Sequence, residues 1–299
     1  MEHEIFRLPD GRLLSYRITG ERSGRPVVYF HGFGSPSFIT LAHSEELQAK
    51  NLFLLSVDRP GYGKSTVHPG YTAEDFADDV CELLDGLHIH RIALSGWSTG
   101  GLFAEAFAAK YPDRIISLTL IASTLPLGCK DARAAMPGKW RPIRFAVIRF
   151  PLLLRKLASF SSRMINGKLN GKVKTALEKM PEDDRRPAGM TRILLDRARV
   201  EGFQHKGLSF CHELEAVCTA DYRRAKEAFP VFIWQGDRDS MANVKSSGFL
   251  QSQYNEAELY IIQGRRHYAI LYRWKEILEK IHLAYSAESP PFRGERHIY

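Results

Sequence analysis

The chain is 299 residues long, 44% hydrophobic and 25% charged, which excludes a disordered, collagenous or low-complexity polypeptide. At ~150 residues per domain, this length suits two units or one large α/β domain with an insertion. The net charge of +8 is uneven: residues 125–227 hold 22 Lys/Arg against 11 Asp/Glu and the remainder 20 against 23, which sets that segment apart. The basic segment has no nucleic-acid-binding motif and no aromatic interleaving, so no nucleic-acid partner is expected. Cys81, Cys129, Cys211 and Cys218 form no CxxC pair and no zinc-type spacing with histidine. Neither a disulfide scaffold nor a metal site is expected. The opening MEHEIFRLPDG is acidic and lacks the apolar core of a secretory signal, and no apolar run reaches the ~18 to 20 residues of a membrane span. The expectation is a cytoplasmic protein.

In chain order, Phe6 and Leu8 precede the turn tripeptide Pro9-Asp10-Gly11, and Leu13–Ile18 follows with strand-forming residues, which reads as a hairpin. Pro26–His31 is a short apolar run ending at Gly32. Similar runs recur at Leu52–Val57, Arg91–Leu94, Ile116–Ile121, Val231–Trp234 and Leu259–Ile262, as expected of strands covered on both faces. Helical patterns lie between them. Thr72-x-x-Asp75 opens one as a capping box, and Phe76, Val80, Leu83, Leu84 and Leu87 continue it at helical spacing. Gly100–Lys110 forms another, stopped at Tyr111-Pro112-Asp113. Alternating strands and helices predict a doubly wound, mostly parallel sheet, with the antiparallel hairpin at its edge. The alternation ceases over residues 125–227, where helix formers dominate and Pro137, Pro142, Pro151, Pro181 and Pro187 divide the segment. Residues 1–124 and 228–285 therefore read as the core, 125–227 as a helical insertion, and 286–299 as a loose tail.

The sharpest local signal is Gly96-Trp97-Ser98-Thr99-Gly100-Gly101, between the apolar Ile92-Ala93-Leu94-Ser95 and a helix. A nucleophile raised above a sheet needs a very tight strand-to-helix turn, and side chains two residues before and after it would collide with neighbouring elements. The helix N-terminus then points at the place where negative charge develops. A serine hydroxyl needs an adjacent base. Among eleven histidines, His267 follows a strand end, where loops converge on a site. His3, His88, His90 and His297 read as surface residues. Two carboxylates, Asp237 and Asp239, share the turn after Val231–Gln235.

These motifs resemble the α/β-hydrolase fold family over nearly the whole chain, most specifically at residues 5–124 and 228–285. His31-Gly32-Phe33-Gly34 resembles the family's oxyanion loop. Asp58-Arg59-Pro60-Gly61-Tyr62-Gly63-Lys64-Ser65 resembles its D-x-x-G-x-G-x-S loop. Gly236-Asp237-Arg238-Asp239 and Gly264-Arg265-Arg266-His267 resemble its acid and histidine turns, in the family order Ser, Asp, His. The resemblance implies a mostly parallel doubly wound α/β sheet with an inserted helical cap. It further implies Ser98 as nucleophile in a nucleophile elbow, His267 as base and Asp239 as the acid that orients it. Backbone N–H groups of Thr99 and Phe33 would form the oxyanion hole. His31, Gly32, Gly96, Gly100 and Asp58 would be structural supports. No metal or organic cofactor is implied.

The implied activity is that of a carboxylesterase-like serine hydrolase acting on a small-molecule ester, with thioesters, lactones and amides behind. Ser98 argues against the epoxide hydrolases and haloalkane dehalogenases of the family, which carry aspartate at that position. A proline-specific peptidase would show a glycine-richer oxyanion loop than His31-Gly32-Phe33-Gly34, which weakens that reading. A ligand receptor with slow hydrolysis, or an acyltransferase, remains open, as does the oligomeric state. The stretch Ile143–Lys156 has two readings: cap helices that line an apolar pocket with Arg and Lys outside, which is favoured, or a basic amphipathic element that meets anionic lipid.

Overall fold

Strands that alternate apolar side chains onto two covered faces form the centre of the molecule. The computed structural model describes residues 3–34, 44–168, 204–221, 229–267 and 270–288. Its eight strands are β1 (Glu4–Arg7), β2 (Leu13–Thr19), β3 (Arg25–Phe30), β4 (Leu52–Val57), β5 (Ile92–Trp97), β6 (Ile115–Ile121), β7 (Val231–Gly236) and β8 (Ala257–Ile262). They join in the order β1-β2-β4-β3-β5-β6-β7-β8. The β1–β2 and β2–β4 pairs are antiparallel and every later pair is parallel. The hairpin therefore sits at one edge, as its turn residues imply.

The pleat explains why these runs are apolar throughout. In β3, Val28 and Phe30 join one apolar layer while Val27 and Tyr29 join the other. Helices α2 (Ala73–Gly86) and α3 (Thr99–Lys110) supply Phe76, Leu83, Phe103 and Phe107 to the first layer. Helix α9 (Ile270–Glu288) supplies Trp274, Ile277, Leu278 and Ile281 to the second, beside Leu47 of the short α1 (Ser44–Ala49). The Thr72 capping box forms with both its hydrogen bonds. Helix α9 continues to Glu288, three residues into the expected tail, where Glu288 pairs with Arg91 at 2.5 Å. The cysteines are free thiols.

Between β6 and β7 the described residues form four α-helices, a short 3-10 turn at Gln204–Gly207 and no strand: α4 (Lys130–Ala135), α5 (Trp140–Arg149), α6 (Pro151–Lys168) and α7 (Leu208–Thr219). The Trp140 indole N–H donates to the Met241 carbonyl at 2.8 Å and ties α5 to the loop that leads into α8 (Val244–Gln253). Pro181 and Pro187 lie outside the described residues. In Ile143–Lys156, Arg149 and Lys156 are exposed and Val147 is buried, as the favoured reading expects, but several apolar side chains face outward as well. Phe145 and Leu152, and Phe160 just beyond the stretch, are 64%, 69% and 61% exposed, while Arg144 and Arg155 are half-buried. Arg144 donates to the Cys218 carbonyl at 3.2 Å, and Arg155 holds Glu215 of α7 at 2.6 Å. These contacts tie α5 and α6 to α7, with Trp140 and Val147 buried and part of the apolar surface left facing outward. Among the described residues no helix is long and apolar enough to cross a membrane.

Candidate active site

The elbow at the end of β5 is forced by close packing. Ser98 takes φ 57° and ψ −121°, a left-handed conformation that costs a non-glycine residue about 1 to 3 kcal/mol. The neighbouring chain over-determines it. The Ser98 N–H donates to the Ile121 carbonyl at 2.9 Å, and the Ser98 carbonyl accepts from Thr124 at 2.9 Å and Gly101 at 3.1 Å. A Cβ on Gly96 would stand 2.4 Å from the Gly100 oxygen, and one on Gly100 would stand 2.1 Å from the Phe30 oxygen. Both positions admit only glycine.

The residues singled out at the elbow and the two late turns converge. His267 Nε2 lies 2.9 Å from Ser98 Oγ, and its Nδ1 lies 2.7 Å from Asp239 Oδ2. Asp239 has a fully buried side chain. Its Oδ1 accepts from the N–H groups of Met241 (2.7 Å) and Ala242 (3.2 Å), and its Oδ2 also accepts from Gln235 Nε2 (3.2 Å). Asp237, by contrast, is exposed. Of the two candidate carboxylates, Asp239 is the one facing the histidine. Trp97 donates its indole N–H to the His267 carbonyl at 3.1 Å and lays its ring 5.5 Å from the imidazole, so the histidine is held at both ends. Gln235 was not legible as a site residue, although a polar side chain closing the buried run of β7 was its one signal.

The supporting loops pack beneath. Asp58 is buried, accepts the Ser15 hydroxyl at 2.8 Å through Oδ2, and takes the Ser65 hydroxyl on its backbone carbonyl. It is a loop anchor. His3, expected at the surface, instead places Nδ1 3.3 Å from Asp58 Oδ2; His88 and His90 are exposed, and His297 lies outside the described residues. The buried His31 accepts the Arg59 N–H at Nε2 (3.2 Å), which leaves Nδ1 protonated to donate to the Gly32 carbonyl (2.9 Å). Gly32 packs under Trp97, whose ring would be 2.8 Å from an added Cβ. Phe33 follows, its ring 4.4 Å from that of Phe210 in α7. The Thr99 N–H is the first of α3, among the helix-start amides that lack an intrahelical acceptor. Among the described residues no three His, Cys, Asp or Glu side chains gather as metal ligands would. Arg59 and Glu213, both buried and 2.6 Å apart beside Thr99, had no signal as a pair, because 154 positions separate them.

Burial, and then the nearby Arg59 cation, hold the His31 pKa well below its ordinary value of 6.5. His31 is therefore neutral in the folded protein, whereas the unfolded chain takes up a proton below pH ~6.5. Its contribution to stability is present above that pH and is lost as pH falls toward the depressed folded value, at up to ~1.4 kcal/mol per pH unit. Urea melts at pH 6.5 and 5.5 check this. His31→Gln is expected to be less stable at pH 6.5, yet to lose about 1 kcal/mol less than the parent chain over that interval. Equal losses would contradict a neutral His31.

Comparison with known proteins agrees with this architecture. Residues 25–273 match the family described as alpha/beta hydrolase fold. A pimeloyl-[acyl-carrier protein] methyl ester esterase of Chromobacterium violaceum is 27% identical over 247 residues, 82% of this chain and 87% of that protein. The dihydrolipoyllysine-residue acetyltransferase component of an acetoin cleaving system of Pseudomonas putida is 36% identical over 115 residues, and the match spans only 30% of its length. The crystal structure of the enol-lactonase from Burkholderia xenovorans LB400 superposes with a TM-score of 0.69 at 21% identity, covering 95% of this chain and all of the other; at that identity it speaks to the fold alone. The match across residues 25–273, with the sheet order and the elbow described above, makes this chain a member of the alpha/beta hydrolase fold family.

Proposed function

We propose that this protein is a serine hydrolase that cleaves a carboxylic ester through a Ser98–His267–Asp239 triad. One observation carries the reading: Ser98 Oγ, His267 and the buried Asp239 carboxylate stand in series at 2.9 and 2.7 Å. In that geometry Ser98 Oγ attacks the carbonyl carbon while its proton passes to His267 Nε2. Asp239 fixes the tautomer by accepting from Nδ1 and stabilises the imidazolium that forms. The Thr99 and Phe33 amides would hold the tetrahedral oxyanion. The imidazolium then protonates the leaving alkoxide, and water activated by the same histidine releases the acyl group from Ser98. The similarity to a methyl ester esterase is consistent with an ester-type bond. Residues 125–227 serve in this reading as the cap that walls the acyl pocket.

Kinetics with short p-nitrophenyl esters test the assignment. Ser98→Ala is expected to lower kcat by roughly 10⁴- to 10⁶-fold with the fold intact. Asp239→Asn should cost about 10³- to 10⁴-fold, because the imidazole loses its orienting anion, and Asp237→Asn less than about tenfold. Turnover that survives Ser98→Ala, or a reversal of the two aspartates, would contradict the triad.

The outward apolar face of α5 and α6 supports the second reading of Ile143–Lys156, contact with anionic lipid. Phe145, Leu152 and Phe160 stand beside exposed Arg141, Arg149 and Lys156, and residues 132–168 contain no acidic side chain at all. Such a surface buries aromatic and aliphatic side chains at the acyl boundary while its cations meet headgroups. In vesicle flotation, the protein should rise with phosphatidylserine-containing vesicles and not with pure phosphatidylcholine. The association should fade as salt shortens the Debye length to ~8 Å at 0.15 M and below. Equal behaviour with both vesicles would dismiss the lipid reading.

A further inference from the structure

The insertion also reaches the reaction centre from beneath. Arg59, in the loop after β4, has no exposed surface. Its Nη1 donates to the His31 carbonyl at 2.6 Å. Its Nη2 donates to the Gly32 carbonyl at 2.9 Å and to Glu213 Oε1 at 2.6 Å. Glu213, equally buried, belongs to α7. Its Oε1 also accepts the Thr99 hydroxyl at 2.9 Å, and its Oε2 accepts the Tyr62 hydroxyl and the Gly34 N–H, the latter at 3.4 Å. The Phe103 ring closes the pocket 4.8 Å from the guanidinium carbon.

The consequence lies in one peptide plane. The Gly32 carbonyl and the Phe33 N–H belong to the same peptide group, and in a trans peptide they point in opposite directions. Arg59 and His31 together seize that carbonyl, so the Phe33 N–H is turned away from the buried cation. The Thr99 side chain is held by the other end of the same ion pair. Both residues that carry the proposed oxyanion amides are therefore tied to Arg59–Glu213. A cation buried this deeply is tolerated only while its counter-charge and hydrogen bonds are in place, and that counter-charge comes from α7.

We propose that the Arg59–Glu213 pair is a positioning device for the oxyanion hole, and that seating of α7 in the insertion makes the hole competent. Neither residue touches the reacting atoms, and the inference rests on the triad reading above. Its signature is a loss in transition-state stabilisation without a loss of substrate binding.

The test uses the full chain and three variants: Glu213→Gln, the paired apolar replacement Arg59→Met with Glu213→Leu, and Glu215→Gln. The last removes the charge of the neighbouring α7 carboxylate that pairs with Arg155, and controls for general loosening of the helix. The first two are expected to lower kcat about 10- to 100-fold, below the loss of a whole oxyanion donor, with KM within about threefold. Affinity for a trifluoromethyl ketone, which forms a tetrahedral adduct with the serine, should fall in parallel. Glu215→Gln should change none of these. If the double replacement does not fold, Glu213→Gln alone decides the matter, since it keeps the side-chain shape and drops only the charge. Parental kcat and ketone affinity in Glu213→Gln, or a loss confined to KM, would overturn the inference. A parent chain that turns over no ester would overturn the hydrolase reading instead.

Discussion

The turn at Ser98 is the constraint on which the rest of the site depends. A serine at φ 57° is strained, and it persists because β6 and α3 hold its backbone on both sides. Glycines at 96 and 100 let the strand and helix meet closely enough for that turn to exist. The same turn leaves Ser98 only 6% exposed and makes Thr99 the first residue of a helix. Strain at the turn is thus converted into the placement of a hydroxyl and an amide at one point.

The other parts of the site are charges handled in low dielectric. Asp239 is a buried anion whose oxygens are met by two backbone N–H groups, an amide side chain and the imidazole. That saturation fixes its orientation while leaving it able to face a cationic histidine. Arg59 is the opposite case, a buried cation neutralised by a carboxylate from a distant helix. Replacing such pairs by apolar residues often costs a protein little stability. The use of this one is sought in what it orients, namely two carbonyls and a hydroxyl next to the elbow.

Much of this was legible in the sequence where the signal was local. The turn residues Pro9-Asp10-Gly11, the apolar runs and the Thr72 capping box gave the sheet and its helices because each is decided within a few residues. The Ser98 elbow, the Asp239 turn and the His267 turn were legible for the same reason, since each sits directly after a strand. The choice between Asp237 and Asp239 was not settled by spacing; burial of one and exposure of the other distinguishes them. What escaped was non-local. Nothing in Arg59 or Glu213 announces a partner 154 positions away, and His3 lies against Asp58 only because the hairpin folds back on the β4 loop. For α5 and α6, amphipathic spacing tells that one side is apolar but not how much of it is covered: Val147 is buried while Phe145 and Leu152 are exposed.

The central claim is that Ser98 is the nucleophile. Peptide mapping after treatment with a p-nitrophenyl phosphonate measures it directly. The account requires one equivalent of nitrophenol released, the phosphonyl group on the peptide carrying Ser98, and ester hydrolysis abolished in step. Phosphonylation of another residue, or hydrolysis that persists after Ser98 is fully modified, would contradict it.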